Sequence, residues 1–416
     1  MSQTTVAKSH YLRAWPLLAY AMLCYVLTGT VSGIMNVAAG FLEADRGWSA
    51  TVLTSSLSIA ALINVVTGFI AGRVASRHST KPLCVVWAAL YVAGLLCMGF
   101  SPNMGLFIVA MCVVNAVSSA WGYNTVPILI TNWFPTRKGT VQGFVSMGIL
   151  LGSVTPMIYT KVYNAFGAGV AVLPFVALAG VALLLLGLGV TDWPEQWGLA
   201  PDTLERCEVQ PEHHAQASAD GSAPDGVSRE RARQILRDPS FLLTSLVLGI
   251  QMLYVGGIMV QLIPRLLELG FSIDGAALAM VATSLVACAG SFAFGILGDR
   301  LGVDVGVKLS FVLGAAAMVI NVIPNRAATL VSLVLIAIVV GSADNWPVNV
   351  CAERFGREGF STTFGVMQPI IQLVGAVGPA FFALIAGASG SYTVSYLAGA
   401  ALMLFGLVAY SALTRR

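Results

Sequence analysis

Gly68-Phe-Ile-Ala-Gly72-Arg73-Val-Ala-Ser-Arg77 and Gly295-Ile-Leu-Gly-Asp299-Arg300-Leu-Gly302 are two copies of one short pattern, about 220 residues apart. Each ends a long apolar run with small residues and an arginine. Three more pairs follow in the same order. Arg46-Gly-Trp-Ser-Ala answers Leu269-Gly-Phe-Ser-Ile. Gly122-x4-Pro127 with Trp133-Phe134 answers Gly341-x5-Pro347 with Arg354-Phe355. Gly148-x3-Gly152-x3-Pro156 answers Gly375-x2-Gly378-Pro379. Glycine and proline are common in membrane helices, so each match alone is weak. Four in register imply two halves of the same orientation, the parallel-repeat plan that places a solute site between them near the midplane.

Composition carries the membrane part of that reading. Of 416 residues 57% are hydrophobic and only 10% charged, against about 25% charged in ordinary soluble domains. A spanning helix needs about 20 mainly apolar residues, so the apolar residues suffice for twelve spans. This excludes a soluble enzyme, a nucleic-acid binder and a disordered chain. Charge-poor stretches predict spans at 15–41, 48–72, 82–100, 104–131, 139–159 and 169–190. The second six fall at 241–263, 275–298, 307–322, 328–350, 362–386 and 392–413. The expected class is all-α: twelve transmembrane helices in two six-helix halves, residues 1–192 and 240–416, joined by a loop at 193–239.

Basic residues set the expected orientation. With the N-terminus inside, 18 of the 22 Lys and Arg fall on the cytoplasmic side and four, Arg46, Lys161, Arg265 and Arg326, outside. Both termini are then cytoplasmic, in a plasma membrane, with a bacterial inner membrane first. The polar start, with Lys8 and Arg13, runs into a full span with no A-x-A site, which argues against a cleaved signal peptide. The loop is polar and reads as a solvated linker; His213 and His214 on it are assigned no metal. Residues 228–237 (SRERARQILR) could lie as a short amphipathic helix on the inner membrane surface. Seven cysteines without a CxxC, five of them in apolar runs, predict free thiols. No GxxxxGK[ST] occurs, so ATP is not the energy source and no cofactor is expected.

The paired motif resembles the G-x-x-x-D-R-x-G-R-R loop of the major facilitator superfamily, and the resemblance covers nearly the whole chain. Within it, Phe41 to Ser49, Asn132-Trp133-Phe134-x2-Arg137-Lys138-Gly139-x3-Gly143, Gly341-x5-Pro347-x4-Ala352-x2-Phe355-Gly356 and Gly390-Ser391-Tyr392 resemble the oxalate/formate antiporter and monocarboxylate transporter branch. The resemblance implies a secondary transporter and makes Gly68, Arg73, Arg77, Gly295, Asp299 and Arg300 a cytoplasmic gate. The first copy has Gly72 where the family has Asp, and Ala75 where it has Gly. The first latch is therefore expected to be the weaker, and substitution of Asp299 to cost more than substitution of Gly72.

The same branch implies a substrate cation in the eighth and eleventh spans, and this sequence has none there. Lys161 and Arg265, at the outer ends of the fifth and seventh spans, either recruit an anion at the mouth or, the reading preferred, are snorkelling end residues. One charge lies inside a span, Asp344, next to Asn345 and Pro347. An acid there must be protonated, paired or wet; it either acts on substrate and proton or caps a helix broken by Pro347. Neutral candidates for the lining are Thr28, Thr30, Ser32 and Asn36 on the first span and Asn115, Trp121, Tyr123 and Asn124 on the fourth. Gln251 and Tyr254 on the seventh and Gln368 and Gln372 on the eleventh complete the set. For each the alternative is a hydrogen bond between helices. The expectation is a small-molecule carrier, first for a monocarboxylate or related organic anion, with protons coupled in symport or exchange, acting as a monomer in the lipid bilayer. The competing readings are a proton-coupled carrier of a neutral or cationic solute using Asp344, and a transporter-derived sensor. A channel needs no paired cytoplasmic motifs, and an enzyme would need acid or histidine clusters that are absent.

Overall fold

The computed structural model describes residues 3–75, 78–197, 201, 234 and 237–414. Among them there is no strand, and twelve helices are long and apolar enough to cross a membrane. They are α1 (Gln3–Arg46), α2 (Ala50–Ala75), α3 (Thr80–Gly99), α4 (Met104–Trp133), α5 (Lys138–Phe166) and α6 (Ala168–Gly189). The second set is α7 (Pro239–Glu268), α8 (Ile273–Leu301), α9 (Val303–Val322), α10 (Arg326–Ala343), α11 (Gly359–Ser389) and α12 (Tyr392–Thr414). Span count and class follow the sequence reading.

Local chemistry fixes the starts. Asn103, Ser272 and Asn325 each turn a side-chain oxygen onto a backbone N–H of the first turn, and Asp238 does so on Ser240 ahead of Pro239. The breaks follow proline. The tenth span ends at Ala343 and not near 350, because Pro347 has no N–H to return to the Ala343 carbonyl. The helix resumes at Asn345 and folds over at Gly356, whose φ of 65° suits glycine. In α4 the ladder widens to a π-helix over Ala120–Thr125, just before Pro127.

The chain packs as two compact units. One contains residues 1–136, 151–229 and 357–365; the other contains 137–150, 230–356 and 366–416. Each is built on six spans but takes in one segment from the other set: the beginning of α5 belongs to the second unit, and the beginning of α11 to the first. In the first unit Trp121 packs among Tyr20 and Tyr91, with ring centroids 6.3 and 5.9 Å away. In the second, rings fill notches left by glycines: Phe382 at Gly257 and Gly399, Phe311 at Gly406, Trp346 at Gly306. Large apolar side chains such as Leu62, Leu278, Leu285, Leu384 and Phe405 stay exposed, as suits helices that face lipid.

Candidate functional site

In the first unit, much of the expected lining is used for packing. Thr28 Oγ1 donates to the Cys24 carbonyl (2.8 Å) and the Ser118 carbonyl (3.3 Å), tying α1 to α4. Thr30 is buried and donates to the Val26 carbonyl. Asn115 Oδ1 accepts from Asn64 Nδ2 on α2 at 2.7 Å. Trp121, 1% exposed, donates its indole N–H to Tyr20. Tyr123 stands edge-on to Tyr25 at 6.1 Å and remains partly exposed. Asn124 is buried, with Nδ2 3.5 Å from the Ser119 carbonyl and Oδ1 unpartnered. The side chains of Ser32 and Asn36 lie outside the described residues, as does Arg77.

In the second unit, Gln251 donates to Ser310 on α9 and leaves Oε1 buried without a partner. Tyr254 is fully buried, its hydroxyl unpartnered. Gln368 is 4% exposed with Oε1 unpartnered, and Gln372, one turn on, is partly exposed. Asn345 is fully spent: its Oδ1 accepts from Ser146 on α5 (2.8 Å), and its Nδ2 donates to the carbonyl (3.0 Å) and hydroxyl (3.3 Å) of Ser291 on α8. Asp344 sits at the break, partly exposed, with no hydrogen bond to the helix start that follows it. Of the two readings of this acid, side-chain capping is not what the geometry shows.

Arg265 corrects an expectation. It does not snorkel; it is 2% exposed. Its Nε donates to Asn321 Oδ1 (2.9 Å), Nη2 to the Asn321 carbonyl (3.0 Å), and Nη1 to Glu268 (2.6 Å) and Thr393 (2.9 Å). The guanidinium lies 5.4 Å from the Tyr396 ring centroid. All three nitrogens of the fork are engaged, in four hydrogen bonds, so it joins α7, α9 and α12 in a buried network. Lys161 is exposed.

The gate residues divide sharply. Asp299 places Oδ1 2.9 Å from the Gly139 N–H and Oδ2 2.6 Å from the Thr140 N–H, so its carboxylate caps the N-terminus of α5. Gly295 and Gly139 meet main chain to main chain in the same seam. Arg300 and Arg73 are exposed, and Gly68 is buried. At Gly72 a Cβ would stand 2.7 Å from the carbonyl oxygen of Gly365 and 2.8 Å from its carbon, so that position has no room for the acid of the family pattern.

Asn64, Ser146 and Ser291 also belong to these polar contacts and escaped the sequence reading. Asn64, a lone amide in an apolar span, carried the same signal as Asn115; the serines carried none. Among the described residues no group of three His, Cys, Asp or Glu is placed to hold a metal. Among the expected lining residues, Asn124 Oδ1 in the first unit, and Gln251 Oε1, Gln368 Oε1 and the Tyr254 hydroxyl in the second, are buried without a hydrogen-bond partner.

The profile of the Major Facilitator Superfamily matches residues 21–379. The hexuronate transporter of Bacillus subtilis is 22% identical over 418 residues, 95% of this chain and 93% of that protein. Human monocarboxylate transporter 12 is 22% identical over 419 residues, 95% and 79% of the two chains. A 124-residue stretch is 28% identical to the fujikurins efflux protein of Gibberella fujikuroi, so the chain spans 25% of that relative's length. Among solved structures, the human organic anion transporter MFSD10 superposes with a TM-score of 0.72 at 13% identity, covering 96% of this chain and 99% of that one. The proton:xylose symporter XylE gives 0.68 at 14%, covering 96% and 95%. At these identities the structural likeness is one of fold.

Proposed function

This chain belongs to the Major Facilitator Superfamily and is a transporter of a small solute, not an enzyme; from that premise we propose that it carries a short organic acid by alternating access, as a monomer in a plasma membrane. The observation that supports this is the set of buried, unpartnered polar atoms on α7 and α11 of the second unit, combined with the network that engages Arg265. A buried polar atom without a partner is costly, and a hydroxyl or carboxyl of a bound solute would relieve that cost. The amide oxygens accept and only the Tyr254 hydroxyl donates, so the set suits the acid in its protonated form, the proton moving with the anion so that little net charge crosses. Human monocarboxylate transporter 12 and the hexuronate transporter agree in name with an acid substrate. The test is counterflow of labelled lactate and glucuronate in proteoliposomes. Saturable exchange of either supports the reading, and absence of both with retained exchange of neutral sugars overturns it.

The second reading, a neutral or cationic solute coupled to protons, is favoured by Asp344, an acid at a helix break without a hydrogen-bond partner. If Asp344 carries the proton, Asp344→Asn abolishes pH-driven accumulation and keeps exchange. If it is the counter-ion of a cation, binding itself weakens. Normal pH-driven uptake at normal expression removes it from the mechanism.

The basic-residue distribution supports a cytoplasmic location for both termini and for residues 193–239. A cysteine introduced at Ser218 is expected to stay unlabelled by an impermeant thiol reagent added to intact cells, in a variant with its native cysteines replaced. Labelling from outside would invert the topology.

A further inference from the structure

Gly72 leaves the first unit without the acid that the family pattern places beside the start of α11, yet the start of α11 is packed into this unit. The segment that follows α6 supplies a different hold. Asp192, 8% exposed, accepts from the backbone N–H groups of Thr80 (2.9 Å) and Lys81 (3.0 Å) and from the Ser79 hydroxyl, capping α3 from a distant part of the chain. Asn132 Nδ2 donates to the Asp192 carbonyl (3.1 Å), and the Trp133 indole to the Thr191 carbonyl (2.8 Å). Five hydrogen bonds to α3, its preceding Ser79 and α4 thus anchor Thr191 and Asp192, and with them the corner that leads to Glu195, as a strut.

On that strut Glu195 receives Arg357 in a two-pronged pair, Nη1 to Oε1 at 2.7 Å and Nη2 to Oε2 at 3.1 Å. The guanidinium lies 4.5 Å from the centroid of the Trp193 ring. The two charged side chains are only 19% and 27% exposed. An isolated surface ion pair contributes little because two long side chains must be ordered in water. Here one partner is fixed by the strut, the geometry is bidentate, and an aromatic face covers the cation, which are the conditions under which an Arg–carboxylate pair gains strength.

We propose that Trp193, Glu195 and Arg357 form a replacement latch, holding the start of α11 against α2 where the Gly72–Gly365 contact excludes the usual acid. The latch engages when the two glycines are in contact and must release whenever they part. Its link to a transport cycle rests on the transporter reading above; its existence does not.

Hydrogen–deuterium exchange on the full-length protein tests it. Glu195→Gln and Arg357→Gln should each speed exchange of the amides of residues 357–365 about fivefold, while residues 138–150, held by Asp299, keep wild-type exchange. The charge-swapped double variant Glu195→Arg with Arg357→Glu should return residues 357–365 towards the wild-type rate. If an Arg357 variant fails to fold, Glu195→Gln decides alone, since Glu195 lies in a short turn outside the spans. Unchanged exchange in Glu195→Gln, or a swap as fast as the single variants, overturns the latch. Absence of lactate and glucuronate counterflow in the wild type would count against the acid-carrier reading and leave the exchange result standing.

Discussion

Asp299→Asn should lower counterflow by about tenfold at matched expression while leaving the protein folded. The carboxylate caps two backbone N–H groups at the start of α5, where charge and helix dipole act in the same sense. Hydrogen bonds to a charged group contribute about 1.5–3 kcal/mol. An amide keeps one acceptor oxygen and loses the charge, so the seam should lose between 1 and 2 kcal/mol, about one decade in the balance between its closed and open forms. The measurement is initial counterflow rate against folded protein from size-exclusion yield. Full activity in Asp299→Asn would remove the capped helix from the cycle. The sequence comparison makes position 72 the milder site, and the structure changes how that comparison must be read. Any side chain at Gly72 runs into the main chain of Gly365, so Gly72→Asn should fail through packing, with a lower melting temperature and yield, and Asp299→Asn should not.

Arg265→Met should be the most destabilising single change at a charged residue. It retains much of the apolar stem and deletes the fork, stranding the buried Asn321 Oδ1 and the Asn321 carbonyl, while Asn321 Nδ2 keeps Ser332. A buried group left without its partner costs about 1–3 kcal/mol. Glu268 keeps solvent contact, with a third of its side chain exposed, so its own cost is discounted, and the total should be about 3 kcal/mol. Arg265→Lys should fall between, since an ammonium cannot reach Asn321, Glu268 and Thr393 together. The check is the apparent melting temperature in detergent across the three proteins. A wild-type value for Arg265→Met would mean that the network carries no stability.

Much of the architecture was legible because the bilayer imposes a length and a polarity on each span. The twelve apolar runs and the break at Pro347 follow from constraints acting within about 20 residues, and the duplication from short motifs that recur in the same order about 220 residues on. The site was less legible. Thr28, Asn115 and Trp121 stand on the expected spans, but whether such a residue bonds its neighbour or faces a cavity depends on each helix's rotation about its axis. No local pattern in this sequence records that rotation. Arg265 looked like an end residue because its partners Asn321 and Thr393 lie 56 and 128 positions away. Glu195 and Arg357 are separated by 162 positions; each carried only a charge, and only the fold puts them face to face.

The contact of Gly72 with Gly365 has an evolutionary consequence. Where two side chains meet, a lineage can drift through intermediates, enlarging one as the other shrinks. Where main chain meets main chain there is no smaller residue to retreat to, and the first methyl group on either side already parts the helices. Lineages descending from this sequence should therefore keep both glycines together, or lose both together with the spacing of α2 and α11. Adaptation to a new solute would have to come from positions elsewhere.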